Sequence, residues 1–421
     1  MIIKQVTNNK RKIVFKVPEF PHVSETFIIA QIVTAINLGY DVKILVRKIS
    51  DADINNCSSL IEQYGLLEKI IIEDYKIPSN KFYRALKWIQ LLLINLKYVN
   101  FIVKYHRVHP KFSLTWLYQW IFYQKFKNFS IIHIQYGTFK YPIDLLKKTG
   151  YFKPALVCSF HGHDAIFPLY GYIENNGYYH NLFNYADVIT ANTPYLRDIL
   201  FDLGCPKDKL EIVPVGVNTK YFNQNESIEI KDKNFELITV GRLNVVKGQI
   251  YALKVIKRLK EAGYKIKFKL IGDGPEKEVL HNYIVQNNLE DIVCMLGAQP
   301  PKKVVSLLRA SHLFLFTSVS EYQGKSTETQ GLATLEAMAC GLPVIGFNSG
   351  GIKYTFENKV SGFLCEEYDV DCVFDKVKYL IENQKILIEM GEEAKKFVNQ
   401  NYSQDIIDFK WKNIYDKISD L

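Results

Sequence analysis

Short β-branched runs alternate with longer helical patterns along this chain, and they do so in two series. The first series has six runs, from "KIVFKV" at 12–17 to "DVITAN" at 187–192. The second has five, from "FELITV" at 235–240 to "LPVIGF" at 342–347. Strands that alternate with helices close into parallel sheets with crossover helices, so the two series predict an α/β chain of two doubly wound domains. The segment 218–234, "NTKYFNQNESIEIKDKN", is polar and without period and reads as the linker. It sets the domains at 1–217 and 235–400, with 401–421 expected as a terminal helix packing back on the first domain. A length of 421 residues suits two such cores. In open sheets of this kind a ligand lies beyond the carboxyl ends of the strands. Two facing domains therefore make a cleft, and chemistry is sought just after each strand.

Charge is spread unevenly over this frame. The chain carries +9, and residues 81–130 hold nine Lys or Arg (81, 84, 87, 97, 104, 107, 111, 125 and 127) with no Asp or Glu. The same window holds Trp88, Trp116 and Trp120 among many Tyr and Phe. Basic residues interleaved with aromatics at helical spacing suit an anionic membrane surface, with the tryptophans as interfacial anchors. A solvated helix face over an aromatic core is the plainer alternative. Nothing resembles an RNA- or DNA-binding motif, so no nucleic acid partner is expected. The start, "MIIKQVTNNKRKIVFKV", lacks the apolar run of a signal peptide, and no stretch is long and apolar enough to span a bilayer. The seven cysteines (57, 158, 205, 294, 340, 365 and 372) include no CxxC pair. Reduced thiols are expected, not a disulfide or zinc framework. The expected location is cytoplasmic, peripheral on the inner face of the membrane.

After the run 235–240 come Gly241, Arg242 and Lys247, with a helix expected to open at about Lys247. A pair of cations beside a helix N-terminus suits a diphosphate, whose negative charge grows as it leaves. In "IGDGP", Gly272 and Gly274 lack the third glycine of a dinucleotide fingerprint. They leave two readings, a backbone approach to a ligand or a tight turn. "GKS" at 324–326 is the tail of a Walker A loop, but Val319 stands where its first glycine is required. In "ETQGLATLEAMACGLPVI", Glu328 and Glu336 frame Gly331, where an apolar helix begins after a strand and a polar loop. Eight positions on a helix differ by about 80°, so a shared face does not explain the pair. Gly331 and Leu332 at a helix start can offer free amides to a phosphate. Glu328, ahead of them, then meets whatever the phosphate carries, and Glu336, in the second turn, meets the hydroxyls of a ribose. A nucleotide diphosphate sugar satisfies all three demands.

The same stretch resembles the E-x(7)-E signature of the retaining GT-B glycosyltransferases of family 4, often called group 1. "VPVGVNTKYF", "VGRLNVVKG" and "IGDGP" look like that family's other landmarks in their usual order, over most of 211–364. "FPHVSETFI" (20–28) and "SFHGHD" (159–164) are similar to the subgroup that makes exopolysaccharide and capsule, of the colanic-acid type. The resemblance implies a retaining hexosyltransferase with a nucleotide diphosphate sugar as co-substrate, no cofactor, no essential metal and a lipid-linked growing glycan as acceptor. It implies that Arg242 and Lys247 hold the diphosphate, Glu328 the donor sugar and Glu336 the ribose. His161 would sit by the reacting carbon or the sugar's distal hydroxyls, with Asp164 in support. Where the family often has Gly-Phe-Gly after the first glutamate, this chain has Thr329, Gln330 and Gly331, and the nearby Glu321 is able to share the role given to Glu328. "PEFPHVSET" replaces a glycine-rich turn after the first strand, which makes Ser24, Glu25 and Thr26 acceptor-side candidates.

Two features imitate metal sites. His161 and His163 flank Gly162, but no cysteine or carboxylate cluster completes a zinc set. "YDVDC" at 368–372 has a D-x-D pattern, yet it precedes an amphipathic helix, where an N-cap accounts for the Asp. Two rivals to the enzyme are a non-catalytic sugar-nucleotide-binding subunit and a GT-B-like epimerase. The presence of both His161 and Glu328 disfavours the first, and the basic aromatic region disfavours the second.

Overall fold

The strand β1 (Lys12–Phe20) is buried from Ile13 to Val17 with no alternation, as in a parallel sheet covered on both faces. A computed structural model describes residues 11–22, 25–50, 59–109, 113–166, 176–222, 234–321 and 327–419. In it β1 joins β2 (Asp41–Ile49), β3 (Ile70–Ile72), β4 (Ile131–Gln135), β5 (Ala155–Ser159), β6 (Val188–Ala191) and β7 (Leu210–Ile212). The sheet is parallel, in the order β3-β2-β1-β4-β5-β6-β7. A second parallel sheet contains β8 (Phe235–Val240), β9 (Ile266–Ile271), β10 (Val293–Gly297), β11 (Leu313–Phe316), β12 (Val344–Phe347) and β13 (Gly362–Cys365). Its order is β10-β9-β8-β11-β12-β13. The strand order reverses at β1/β4 in one sheet and at β8/β11 in the other, which opens a crevice at each reversal. The short edge strands β7 and β13 were not among the two series of runs, being too brief to carry a pattern of their own.

On one face of the first sheet, Val14, Ile132 and Leu156 pack with Trp116, Trp120, Tyr123 and Phe126. On the other, Ile13, Phe15 and Val17 meet the Thr26–Asn37 helix and Ile407, Trp411, Ile414, Tyr415 and Ile418 of the Gln404–Ser419 helix. The chain thus leaves the first sheet, builds the second and returns. The two crossings run side by side: the Val217 amide donates to the Tyr402 carbonyl at 2.8 Å, and the Gln404 amide to the Val217 carbonyl at 3.0 Å.

Two expectations are corrected here. Trp116 and Trp120 are 4% and 0% exposed, so they are core residues and not interfacial anchors. Their helix, "TWLYQWIFY", is apolar nearly all round and can only be buried. Trp88 is half-buried, edge-on to Trp116. The exposed apolar surface of this region is instead on the Lys81–Ile94 helix, none of whose residues is buried. Phe82, Leu86, Ile89 and Leu93 form a stripe there at helical spacing, facing out. Among the described residues no single helix is long and apolar enough to cross a bilayer; Lys81–Ile94 and Leu96–Arg107 reach that length only together, bent by 77°.

The second correction concerns the thiols. Cys365 and Cys372 form a disulfide with a Cα separation of 5.9 Å. Cys365 ends β13 and Cys372 lies in the first turn of the Val370–Glu382 helix, so the turn between them folds the two together. No local cysteine motif marks such a pair. Cys158, Cys205, Cys294 and Cys340 are free thiols.

Candidate active site

The second domain's side of the cleft is built where β8 and β11 end. After β8, the Asn244 side chain accepts from the Lys247 amide at 3.1 Å and shapes a short turn, Val245–Lys247. The helix proper is Gln249–Glu261, so it opens two residues later than expected. Gly272 and Gly274 settle as a packing device: a Cβ on them would lie 1.8 Å from the Gly241 carbonyl oxygen and 2.4 Å from that of Leu243. Their loop therefore presses its backbone against the loop that carries Arg242.

Lys247 pairs with the Glu328 carboxylate and lies 5.2 Å from the centre of the Phe316 ring. The other Glu328 oxygen accepts from the Gly331 amide at 3.2 Å. Burial pushes the Glu328 carboxyl up, but the Lys247 ammonium and the Gly331 amide outweigh it and hold the group below its ordinary range. Of the two amides expected to face a phosphate, that of Gly331 is thus held by Glu328 itself. Gly331, at φ +68°, caps the Leu332–Ala339 helix. Glu336 lies in the second turn of that helix, and burial pushes its carboxyl up to about 7. Arg242 is exposed and close enough to act electrostatically on both Glu328 and His163. Glu321 lies close enough to Tyr251 and Tyr368 to act electrostatically on both.

The first domain's side of the cleft is built where β1, β4 and β5 end. His161, two residues past β5, is flanked by the rings of Phe27 (4.7 Å) and Tyr136 (4.9 Å). Its Nε2 is 2.8 Å from Gln135 Oε1, and its Nδ1 has no partner. Burial lowers the imidazole to about 3, so the ring is neutral at physiological pH. Asp164 does not touch that ring. Its carboxylate accepts from the amides of Gly137 (2.7 Å), His161 (3.0 Å) and Gly162 (3.1 Å), and burial raises it to about 6 against those bonds. It shapes the loop that carries His161. Glu25 accepts from the Tyr136 hydroxyl at 2.7 Å, and burial raises its carboxyl despite that bond. Thr26 opens the Thr26–Asn37 helix, and Ser24 lies outside the described residues.

Thr329 and Gln330, between Glu328 and Gly331, join the two sides. Thr329 Oγ1 donates to the His161 carbonyl at 3.0 Å and accepts from Asn192 Nδ2 at 3.1 Å. Thr193 Oγ1 donates to the Thr329 carbonyl at 2.9 Å. The Gln330 amide makes paired bonds to the Val215 backbone, 2.8 and 2.9 Å. The departure from Gly-Phe-Gly is therefore a latch that sets Glu328 opposite His161. Gln135, Asn192, Thr193 and Val215 were absent from the sequence-derived site. No local spacing marks them, and the Thr329–Gln330 departure was noted in the sequence without any contact assigned to it. Asp369 of the D-x-D pattern is an N-cap, accepting from the Cys372 amide at 2.8 Å. Among the described residues no three His, Cys, Asp or Glu side chains converge as they would around a metal ion.

Two parallel-sheet domains facing across a latched cleft, with a glutamate-framed helix start on one side and a histidine loop on the other, define a GT-B glycosyltransferase. The family models agree: residues 35–221 match Glycosyltransferase Family 4, and 221–397 match Glycosyl transferases group 1. The chain belongs to this glycosyltransferase family. It is 26% identical over 405 residues to the amylovoran biosynthesis glycosyltransferase AmsK of Erwinia amylovora, covering 94% of this chain and 97% of that one. It is 27% identical over 406 residues to the putative colanic acid biosynthesis glycosyltransferase WcaL of Salmonella typhimurium, with the same coverage. In fold it resembles Anabaena Alr3699/HepE, solved in complex with UDP, at TM-score 0.72 and 16% identity over 98% of this chain and 100% of that one.

Proposed function

We propose that this glycosyltransferase moves a sugar, with retention of anomeric configuration, from a nucleotide diphosphate sugar to a lipid-linked growing glycan in bacterial surface polysaccharide assembly. The observation that carries this reading is the Lys247–Glu328–Gly331 constellation latched opposite His161. An arriving diphosphate bears more charge than one carboxylate, so it draws Lys247 and Arg242 to itself and frees Glu328 toward the sugar. As the bond from the anomeric carbon to the phosphate oxygen breaks, charge grows on the phosphate, and these two cations stabilise it most in the transition state. The acceptor hydroxyl attacks the anomeric carbon from the same face, and its proton passes to the leaving phosphate oxygen. No enzymic nucleophile is then required. Arg242 and Lys247 supply the charge that a divalent ion supplies elsewhere, so transfer proceeds without metal. Glu336 receives the ribose hydroxyls.

Supporting the pathway are the roles of the relatives, one in amylovoran and one, putatively assigned, in colanic acid biosynthesis. Supporting the donor class is the fold neighbour HepE, also solved with UDP-glucose. The acceptor meets the enzyme at the cytoplasmic face of an anionic membrane. There Lys81, Arg84, Lys87 and Lys97 accompany the exposed stripe of the Lys81–Ile94 helix.

The test is to incubate the protein with UDP- and GDP-sugars and membrane lipid extract, with and without excess chelator. Nucleotide release from one donor, a labelled lipid of unchanged anomeric configuration and indifference to chelator are expected. Release from no donor refutes the transferase reading. Loss of activity in chelator, restored by magnesium or manganese, refutes the metal-free mechanism.

A further inference from the structure

Behind His161 runs a file of buried polar side chains that the transfer chemistry does not use. Gln135, the last residue of β4, is fully buried, and its Oε1 lies 2.8 Å from His161 Nε2. Its Nε2 donates to Gln31 Oε1 at 2.6 Å, on the Thr26–Asn37 helix. Gln31 lies beside the hydroxyl of Tyr415, on the Gln404–Ser419 helix. That hydroxyl is 2.9 Å from His133 Nδ1, and His133 Nε2 is 2.7 Å from Ser159 Oγ. Gln31, Gln135, His133, Ser159 and Tyr415 are all buried.

Such a file costs stability unless its members bond one another in a consistent sense, because each polar atom has left water. With the two side-chain amides oriented as they stand, Gln135 Nε2 donates to Gln31 Oε1, which leaves Gln135 Oε1 facing His161, while Gln31 Nε2 finds no hydrogen-bond partner. An amide oxygen accepts and never donates, so Gln135 Oε1 requires a proton on His161 Nε2. The neutral ring then has its lone pair on Nδ1, the nitrogen that finds no partner in the protein.

We propose that Gln135, backed by Gln31, is a positioning residue: it holds His161 as the Nε2–H tautomer, so that Nδ1 stands as an acceptor for a hydroxyl of the transferred sugar. The inference rests on the transfer reading above for the identity of that hydroxyl, but not for the tautomer. A protonated ring would offer a donor at both nitrogens and lose this selectivity. Burial, which disfavours the charged ring, works in the same direction.

The test uses the full chain with 15N-labelled histidine. In the wild type, the His161 resonance, assigned by its loss in His161→Gln, is expected to show a protonated Nε2 and a bare Nδ1. A protonated Nδ1 overturns the proposal outright, because the file then runs in the opposite sense. Gln135→Leu removes the acceptor and is expected to mix the tautomers and lower kcat by about a hundredfold, with KM for the donor little changed. Gln135→Glu keeps an acceptor at the same place and, if ionised, raises the imidazole pKa above that of the wild type. Tyr136, Glu25 and His133, the other titratable groups by the ring, are common to both proteins. This variant is therefore expected to recover kcat above that of Gln135→Leu at high pH and to lose it as His161 gains a second proton on acidification. A kcat in Gln135→Leu equal to that of the wild type overturns the proposal. If Gln135→Leu does not fold, the wild-type spectrum and the Gln135→Glu profile decide. Because the spectrum is read without donor, absence of transferase activity in every protein would refute the functional reading while leaving the tautomer assignment to stand or fall separately.

Discussion

The two walls of the cleft handle charge in different ways. The donor wall keeps it: Lys247 and Glu328 face each other as ions, with Arg242 exposed beside them. The wall around His161 holds the imidazole neutral, and it raises the Asp164 and Glu25 carboxyls by burial while bonding them to amides or a hydroxyl. The first domain carries its excess charge on the outside, in the basic helices between 81 and 130. This division fits a reaction in which one end of the donor gains negative charge while the sugar end must be gripped by directional hydrogen bonds. A second cation beside His161 would compete for the diphosphate, and a neutral imidazole avoids that.

The comparison breaks most visibly at Lys247. Lys247→Ala is expected to lower kcat/KM by about a hundredfold to a thousandfold, as when one preorganised stabiliser of developing charge is removed. Steady-state kinetics with the preferred donor measures it, and a loss below about threefold would mean the charge is neutralised elsewhere. Glu328→Gln tests the same pair from the other side. With Lys247 no longer tied to a carboxylate, nucleotide diphosphate is expected to bind as tightly as in the wild type or more so while kcat falls, which calorimetry together with turnover would resolve.

The outer face of the first domain is next in size. Phe82, Leu86 and Leu93 are 75%, 51% and 60% exposed, so replacing all three with Ser leaves the fold intact. If each loses roughly 1 kcal/mol of bilayer burial, partitioning onto anionic vesicles falls by about a hundredfold, with nucleotide affinity unchanged. Replacing Lys81, Arg84, Lys87 and Lys97 with Gln should weaken the same binding in a salt-dependent way. Equal sedimentation of both variants and the wild type would confine the basic excess to solvent.

Glu336 sharpens the contrast, because it is the donor-wall group that burial raises. Its carboxyl is pushed up to about 7, and ribose hydroxyls are better accepted by the ionised form, so binding must release a proton below that pH. Nucleotide affinity is therefore expected to rise with pH, by up to about tenfold per unit below 7, and to level off above it. Glu336→Gln should bind more weakly with that slope abolished; an identical slope in the variant would assign the titration to another group. The smallest effect is expected at the seam. Thr329→Val removes two hydrogen bonds to the opposite wall, each worth about 1 kcal/mol, and should lower kcat by about tenfold without altering nucleotide affinity. Thr329→Ser should restore it.

Each of the two clusters on the second domain's wall could be picked out along the chain because its own residues are close in sequence. Glu328, Gly331 and Glu336 lie on one loop and one helix, and Arg242 and Lys247 on one turn. The wall around His161 could not be read so far. The ring is bonded by Gln135, 26 positions away, which in turn bonds Gln31, a further 104 away, and glutamine in a strand or helix gives no local signal. Trp116 and Trp120 misled for a related reason: a basic aromatic composition does not say which aromatics turn inward, and only the all-round apolarity of their short helix does. Cys365 and Cys372 meet because of a turn that no cysteine spacing encodes.

The Gln404–Ser419 helix has a consequence for the order in which this protein is made. The first sheet leaves the ribosome early, but Ile13, Phe15 and Val17 share their covering layer with Ile407, Trp411, Ile414 and Tyr415, which follow only after the entire second domain. At synthesis rates of about 5–20 residues per second, that surface waits on the order of ten seconds or more for part of its partner. The domain begun first is therefore the last to be finished. A nascent chain stalled before residue 404 would display an apolar sheet face to chaperones, while its donor half could already be folded.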